Sequence, residues 1–73
     1  MQRNEIKIIL DGLLKDNKKR NIHISLSNRR FYNGVVLNYE DDKSLSFEDN
    51  KLGYITILYS SIINIEPEKE KWQ

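Results

Sequence analysis

The stretch that most constrains the fold covers residues 29–40 and reads RRFYNGVVLNYE. Its aromatic and β-branched residues favour a pleated, half-buried backbone, yet the stretch is long for one straight strand. Gly34 lies near its centre, and a glycine inside a strand pattern marks a bend, a bulge or a close backbone approach. The sequence therefore predicts a long strand that bends at Gly34 and belongs to both halves of a small barrel.

A helix is predicted ahead of this strand. Asn4 can cap its first turn through the side-chain oxygen. Lys15, Lys18 and Lys19 suit its C-terminal end, where the helix dipole favours cations. The apolar residues recur at the spacing of a single helical face, which needs a surface to lie on: Ile6, Ile9, Leu10, Leu13 and Leu14.

Four shorter strands are predicted around the long one, because apolar and polar residues alternate there. The first strand carries Ile22, Ile24 and Leu26 on one face. Pro67 cannot donate a hydrogen bond to a ladder, so we expect the last strand to end before it. The three strands that follow the long one are predicted at residues 44–48, 54–59 and 62–65.

These elements predict a mainly β protein. An N-terminal α-helix is followed by a strongly bent five-stranded antiparallel sheet that forms a small open barrel. We expect a single domain over residues 1–67 and a charged C-terminal tail over residues 68–73, which contains Trp72.

The small size of the chain indicates a need for extra stabilisation. A domain of 73 residues buries only about 60% of the surface that its unfolded chain exposes, so it commonly relies on disulfides, metals or partner subunits. The chain has no cysteine and a single histidine, His23, which excludes disulfides and cysteine-based zinc sites. We therefore expect self-association, no metal and no cofactor.

The composition also limits the location and the partners. The absence of cysteine fits a reducing compartment, and no apolar run approaches the length of about 20 residues that spans a bilayer. We expect a cytoplasmic protein without a membrane partner. Twelve basic and eleven acidic residues nearly cancel, so net charge alone does not indicate a nucleic-acid binder.

The order of the elements, with a glycine in the second strand, resembles the Sm-like (Lsm) family, which includes Hfq-like and archaeal Sm-like proteins. Residues 26–34 and 39–45 match the first Sm motif. Within it, Tyr32 and Tyr39 take the places of the structural aromatics, and Gly34 takes that of the bend glycine. Where an aspartate is usual after the second aromatic, this chain has glutamate.

Residues 57–65 match the second Sm motif, a short strand pair, and the whole resemblance covers about residues 4–67. The resemblance implies a homo-oligomeric ring, a hexamer or a heptamer, joined through strands four and five. It also implies binding of single-stranded RNA.

The base pocket of the family is altered in this chain. A uracil is typically held there by a stacking residue and an asparagine after strand two, and by a cation between strands four and five. Asp42 and Ser44 stand at the first two positions, and the third loop has no cation. A pore site would therefore use Lys43, Ser44, Tyr59 and Ser60, with Tyr59 stacking on the base.

A second candidate RNA site is a basic rim. Lys18, Lys19 and Arg20 lie between the helix and the first strand, where the resemblance implies phosphate contacts. Arg29 and Arg30 extend this rim or keep a sheet edge soluble. The alternative for the first three is a solvated helix end that complements the dipole.

The sequence shows no nucleophile–base pair, no phosphate-cradling glycine loop and no metal-ligand cluster, so we predict no enzymatic activity. Asp41 and Asp42 are interpreted as solvated turn formers, and His23 as a surface or interface residue. The leading hypothesis is an RNA-binding Sm-like ring with an altered uridine pocket. The alternatives are a scaffold ring without RNA binding and a monomeric adaptor with an SH3-like barrel.

Overall fold

The computed structural model describes residues 1–15 and 20–68, and it confirms a mainly β fold with an N-terminal helix. The helix α1 spans Arg3–Leu13, and Tyr59–Ser61 forms one turn of 3-10 helix. The five strands are antiparallel to their neighbours in the order β4-β3-β2-β1-β5. Their bounds are β1 Ile22–Leu26, β2 Phe31–Asn38, β3 Ser44–Asp49, β4 Gly53–Leu58 and β5 Ile62–Pro67.

The helix begins before the predicted cap. Gln2 is the N-cap residue, and its backbone N–H donates to Oε1 of Glu5 at 3.2 Å. The prediction that Asn4 caps the helix is therefore wrong, since Asn4 already lies in the first turn. The apolar stripe is confirmed, because Ile6 and Leu10 are buried against the sheet.

The core lies between α1 and the inner face of the sheet. The inward residues of β1 and β3 are buried in strict alternation with outward ones. Each fully buried side chain of this size contributes about 1.5–3 kcal/mol relative to an exposed one, which makes this cluster the main source of stability. The largest fully buried members are Phe47, Ile6, Leu10, Ile22, Ile24, Leu45 and Ile62.

Gly34 is required by a close backbone approach. A Cβ added there would overlap the carbonyl oxygen of Glu48 and lie 2.9 Å from its carbonyl carbon. The irregularity of β2 lies further along, because the register with β3 changes between Val36 and Asn38 and leaves Leu37 as a bulge. The strand is also shorter than predicted, ending at Asn38.

The edge strand β5 differs from its predicted form. It continues through Pro67, which pairs with Ile22, so the predicted end before the proline is wrong. An edge strand tolerates proline because its missing N–H can face away from the ladder. A second bulge lies at Ile63, since Asn64 pairs with Ser25 but Ile62 pairs with Leu26.

Candidate nucleic-acid interface

Tyr59, the residue expected to stack on a base in the pore, belongs to the core. Its side chain is only 4% exposed, and its hydroxyl donates to the carbonyl oxygens of Tyr39 at 3.1 Å and of Asp41 at 2.7 Å. Burial of the phenol raises the pKa of Tyr59. The structure thus corrects the stacking role, because a buried ring offers no face to a base.

The loop between β2 and β3 is held by its own aspartate. The Asp41 carboxylate accepts hydrogen bonds from the backbone N–H of Lys43 at 3.0 Å and from that of Ser44 at 3.3 Å. The bond from Lys43, with the amide and hydroxyl of Ser44, lowers the pKa of Asp41. The Ser44 hydroxyl donates to the same carboxylate at 3.4 Å, while Lys43 and Ser60 stay exposed.

Arg3 of the helix also binds this loop, through hydrogen bonds and an ion pair. Its guanidinium donates to the carbonyl oxygen of Glu40 at 3.3 Å and to that of Asp41 at 3.4 Å. Its Nε also lies 3.6 Å from the exposed carboxylate of Asp42. The carbonyl oxygens at the start of the loop that carries the expected base pocket are therefore engaged by side chains of this chain.

Tyr39, at the start of the same loop, connects the loop to the helix. Its hydroxyl donates to Oδ1 of Asp11 at 2.7 Å, and Lys7 lies 3.6 Å from the other oxygen of that carboxylate. The hydrogen bond to Asp11, together with burial and the negative charge, raises the pKa of Tyr39 to about 12. Tyr39 and Tyr32 are both half-buried and pack against the core.

The predicted basic rim is only partly described. Lys18 and Lys19 lie outside the described residues, as does Trp72, and Arg20 is exposed. Arg29 and Arg30 are exposed in the turn between β1 and β2. In that turn, the N–H of Leu26 donates to the carbonyl oxygen of Arg30 at 2.8 Å, and Arg29 adopts a φ of 69°.

A pocket of about 500 Å³ lies between the β1–β2 turn and the β3–β4 turn. We call it the turn groove. It combines three cationic side chains with aromatic, apolar and amide groups and two carboxylates. The residues that line it are Arg29, Arg30, Phe31, Tyr32, Asn33, Asp49, Asn50, Lys51, Leu52 and Glu68.

The β3–β4 side of the turn groove is fixed by Asp49. This buried carboxylate accepts hydrogen bonds from the backbone N–H groups of Lys51 and Leu52, both at 2.8 Å. Burial works to raise the pKa of Asp49, but the amide donors outweigh it and the pKa is lowered. The turn groove therefore carries three cationic side chains against two carboxylates, and one of these, Asp49, is hydrogen-bonded within its own turn.

An exposed aromatic ring adjoins the turn groove. Phe31 is 59% exposed, and its ring lies 5.1 Å from that of His23 at a tilt of 32°. His23 Nδ1 is in turn 2.7 Å from Oδ1 of Asn33. Neighbouring rings of this kind stabilise each other, so Phe31 is held beside His23 while more than half of the residue stays exposed.

No family model, curated protein or solved structure matches this chain. Within residues 1–15 and 20–68, no cluster of three or more metal-ligating side chains is found. Across those same residues, the structure contains no helix with the length and hydrophobicity needed to cross a membrane.

Sequence reasoning found one side of the turn groove and missed the other. Arg29 and Arg30 were identified, whereas Lys51, Leu52 and Glu68 were not. The missing information was register: the N–H of Asn50 donates to the carbonyl oxygen of Asn33 at 2.9 Å, which places the second turn beside β2. The strands predicted at residues 44–48 and 54–59 leave residues 49–53 as a connection, but nothing local indicated which segment lies beside it.

Proposed function

We propose that this chain is a small Sm-like barrel that assembles into a closed homo-oligomeric ring, a hexamer or heptamer, and binds single-stranded RNA. The strand order carries this proposal, because it leaves β4 and β5 as two unlike sheet edges. Exposed edges invite pairing, and native proteins cover them. Pairing β4 of one copy with β5 of the next covers both edges head to tail, and a closed rotation gives a ring.

Apolar side chains beside both edges support this assembly. Tyr54 and Leu58 of β4 are exposed, and Ile63 at the bulge of β5 is 60% exposed. These three large side chains would lose contact with water when two edges pair, which is favourable at about 25 cal/mol per Å² of apolar surface. The proposal therefore assigns them to the subunit interface.

Replacing Ile63 by glutamate tests the assembly. A buried charge at a paired edge is costly, so Ile63→Glu should yield monomers while the unmodified protein forms rings. Ile8→Glu is the matched control, because Ile8 is 72% exposed on the helix and belongs to neither edge strand. Native mass spectrometry and light scattering give the readout. A stable monomer of the unmodified protein at micromolar concentration would contradict the ring.

The turn groove supports the RNA part of the proposal. Arg29, Arg30 and Lys51 can contact phosphates, and base–aromatic stacking of the kind Phe31 offers is worth about 1–3 kcal/mol per base. In contrast, the loop between β2 and β3, which carries the expected pore site, has its carbonyl oxygens hydrogen-bonded by Arg3 and Tyr59. We therefore place RNA on the turn groove rather than in the pore.

Salt-dependent binding of labelled oligo-U and oligo-A tests this placement. The double variant Arg29→Ala/Arg30→Ala should weaken binding and lower the salt slope by about 1.4, since each phosphate contact on a single strand contributes about 0.7. Lys7→Ala is the charge control and Lys43→Ala probes the pore. Loss of binding in Lys43→Ala, with none in the double variant, would return the site to the pore.

The basic rim is tested separately. Replacing Lys18, Lys19 and Arg20 by alanine should weaken RNA binding to the same extent for oligo-U and oligo-A if these residues contact phosphates, because phosphate contacts carry no sequence information. Retained affinity in this triple variant would remove the rim from the proposal.

A binding role without catalysis is proposed, and a cytoplasmic location is part of it. A scaffold ring without RNA binding is the second candidate. Two observations favour this candidate: the 12 basic and 11 acidic residues nearly cancel, and the carbonyl oxygens of the β2–β3 loop are hydrogen-bonded within the chain. A ring that binds neither oligonucleotide at low salt would establish this alternative over the RNA proposal.

A further inference from the structure

We propose that the turn groove selects a guanine base and that the carboxylate of Glu68 makes the selection. This inference rests on the proposed RNA binding and goes further by naming the base. Among residues 1–15 and 20–68, Oε1 of Glu68 is a buried side-chain oxygen without a hydrogen-bond partner.

Glu68 is anchored by its backbone directly after β5. Its N–H donates to the carbonyl oxygen of Asn21 at 3.0 Å, which extends the pairing of β5 with the start of β1. Its Oε1 is buried and has no hydrogen-bond partner in the structure as described. An unpartnered buried acceptor is unfavourable, so the Glu68 side chain gains when it turns to meet a donor in the groove that it lines.

Two other side-chain acceptors of the turn groove are already engaged. Oδ2 of Asp49 receives two backbone N–H groups at 2.8 Å. Oδ1 of Asn33 lies 2.7 Å from His23 Nδ1. Glu68 is therefore the carboxylate of the groove with an oxygen to offer, beside the cations Arg29, Arg30 and Lys51.

Guanine has the complementary donor pattern. Single-stranded bases are read on their Watson–Crick edges, where guanine presents the adjacent donors N1–H and N2–H to the two oxygens of a carboxylate. Adenine presents N1 as an acceptor next to its amino group, and uracil flanks its single N–H with two carbonyl oxygens. A carboxylate repels those acceptors. The cations of the groove then take the phosphates, and the exposed ring of Phe31 can receive a neighbouring base.

The test uses uridine pentamers that carry guanine, adenine or inosine at the centre, measured by fluorescence anisotropy on the assembled protein. We expect the guanine pentamer to bind about tenfold more tightly than the adenine pentamer, the lower range for a two-donor base contact. Inosine lacks the N2 amino group and should fall between them. This series uses the unmodified protein, so it does not depend on the folding of a variant.

Glu68→Gln should abolish the preference for guanine, because an amide offers one acceptor and one donor in place of two acceptors. Glu66→Gln is the matched control: it removes the same charge from an exposed position of β5. Glu66→Gln should bind all three pentamers slightly more tightly through its lost negative charge and keep the preference, whereas Glu68→Gln should bind the guanine pentamer more weakly and so equalise guanine and adenine.

Equal binding of the three pentamers by the unmodified protein would overturn the guanine inference and leave the RNA proposal standing. A guanine preference that survives in Glu68→Gln would overturn the role of Glu68. No binding of any pentamer at low salt would overturn both proposals. Displacement of the guanine pentamer by GMP, but not by AMP, at equal nucleotide concentration would support guanine recognition and assign it to the free nucleotide as well.

Discussion

Replacing Gly34 by alanine tests the closest backbone contact of the sheet. The added Cβ would overlap the carbonyl oxygen of Glu48, lie 2.9 Å from its carbonyl carbon and lie 3.0 Å from Cα of Asp49. All three are backbone atoms of β3, which is paired on one side with β2 and on the other with β4. They cannot swing aside as the end of a flexible side chain can, so β2 and β3 must move apart.

The expected loss of stability follows from that constraint. Overpacking a well-packed site typically costs about 1–3 kcal/mol and occasionally more. Since the obstacle is backbone, we place Gly34→Ala at about 3 kcal/mol and Gly34→Val beyond it. At usual stabilities per residue, a chain of 73 residues has about 4–11 kcal/mol in total. We therefore expect the alanine variant to fold weakly and the valine variant to unfold or lose its assembly.

Gly12 supplies the matched control for the same chemical change. It lies in α1, and apart from its chain neighbours and the backbone of its own helix, no atom of the described residues stands within 4 Å of an added Cβ. Gly12→Ala should stabilise the protein by about 0.5–1 kcal/mol, because alanine loses less backbone entropy in a helix. Urea unfolding followed by far-UV circular dichroism, at equal protomer concentrations, measures both changes. A Gly34→Ala variant within about 0.5 kcal/mol of the unmodified protein would refute the close approach.

Three other changes test the contacts of the loops. Tyr59→Phe should cost about 1–2 kcal/mol in urea unfolding, because the loop carbonyls that its hydroxyl reaches lose their donor. Asp11→Asn should move the pKa of Tyr39 from about 12 towards about 10 in a phenolate absorbance titration. Because the folded pKa of Tyr39 lies above the unfolded value, the contribution of this hydrogen bond to folding stability is present below about pH 10 and is lost towards pH 12. Solvent screening limits that contribution to less than about 1 kcal/mol. The folded pKa of Asp49 is lowered, so its contribution to folding stability is present above its unfolded pKa of about 3.9 and is lost as pH falls through the folded pKa. Asp49→Asn should therefore make stability depend less on pH in this acid range. An unchanged acid unfolding transition would contradict this.

Local patterns predicted the elements because burial follows periodicity. The apolar stripe of α1 and the alternation of β1 and β3 needed no knowledge of the neighbours. The same alternation also places Tyr59 on the buried side with Ile55 and Ile57. The expectation that its ring stacks on a base relied instead on its position at the end of the predicted strand 54–59. Periodicity within a strand thus indicates burial better than distance from a loop does.

The features that sequence reasoning missed depend on contacts between distant segments. The bulge at Leu37 lies in an apolar run without alternation, so nothing local marks which residue is left unpaired. The turn groove needs the β1–β2 turn and the β3–β4 turn to lie side by side, which only the strand register determines. Gly34 was identified, but whether it permits a bend or a close approach depends on the position of Glu48.

The unlike edges β4 and β5 have a consequence for affinity in the proposed ring. Copies joined head to tail are related by rotation alone, so every turn groove lies on the same side of the assembly and at the same radius. A strand of RNA held by one groove then meets the next as an intramolecular event, at an effective concentration set by the nucleotides between them. Avidity of this kind can exceed the affinity of one site by about 10²–10⁴, so a groove that binds a single nucleotide weakly is sufficient for tight binding of a long strand.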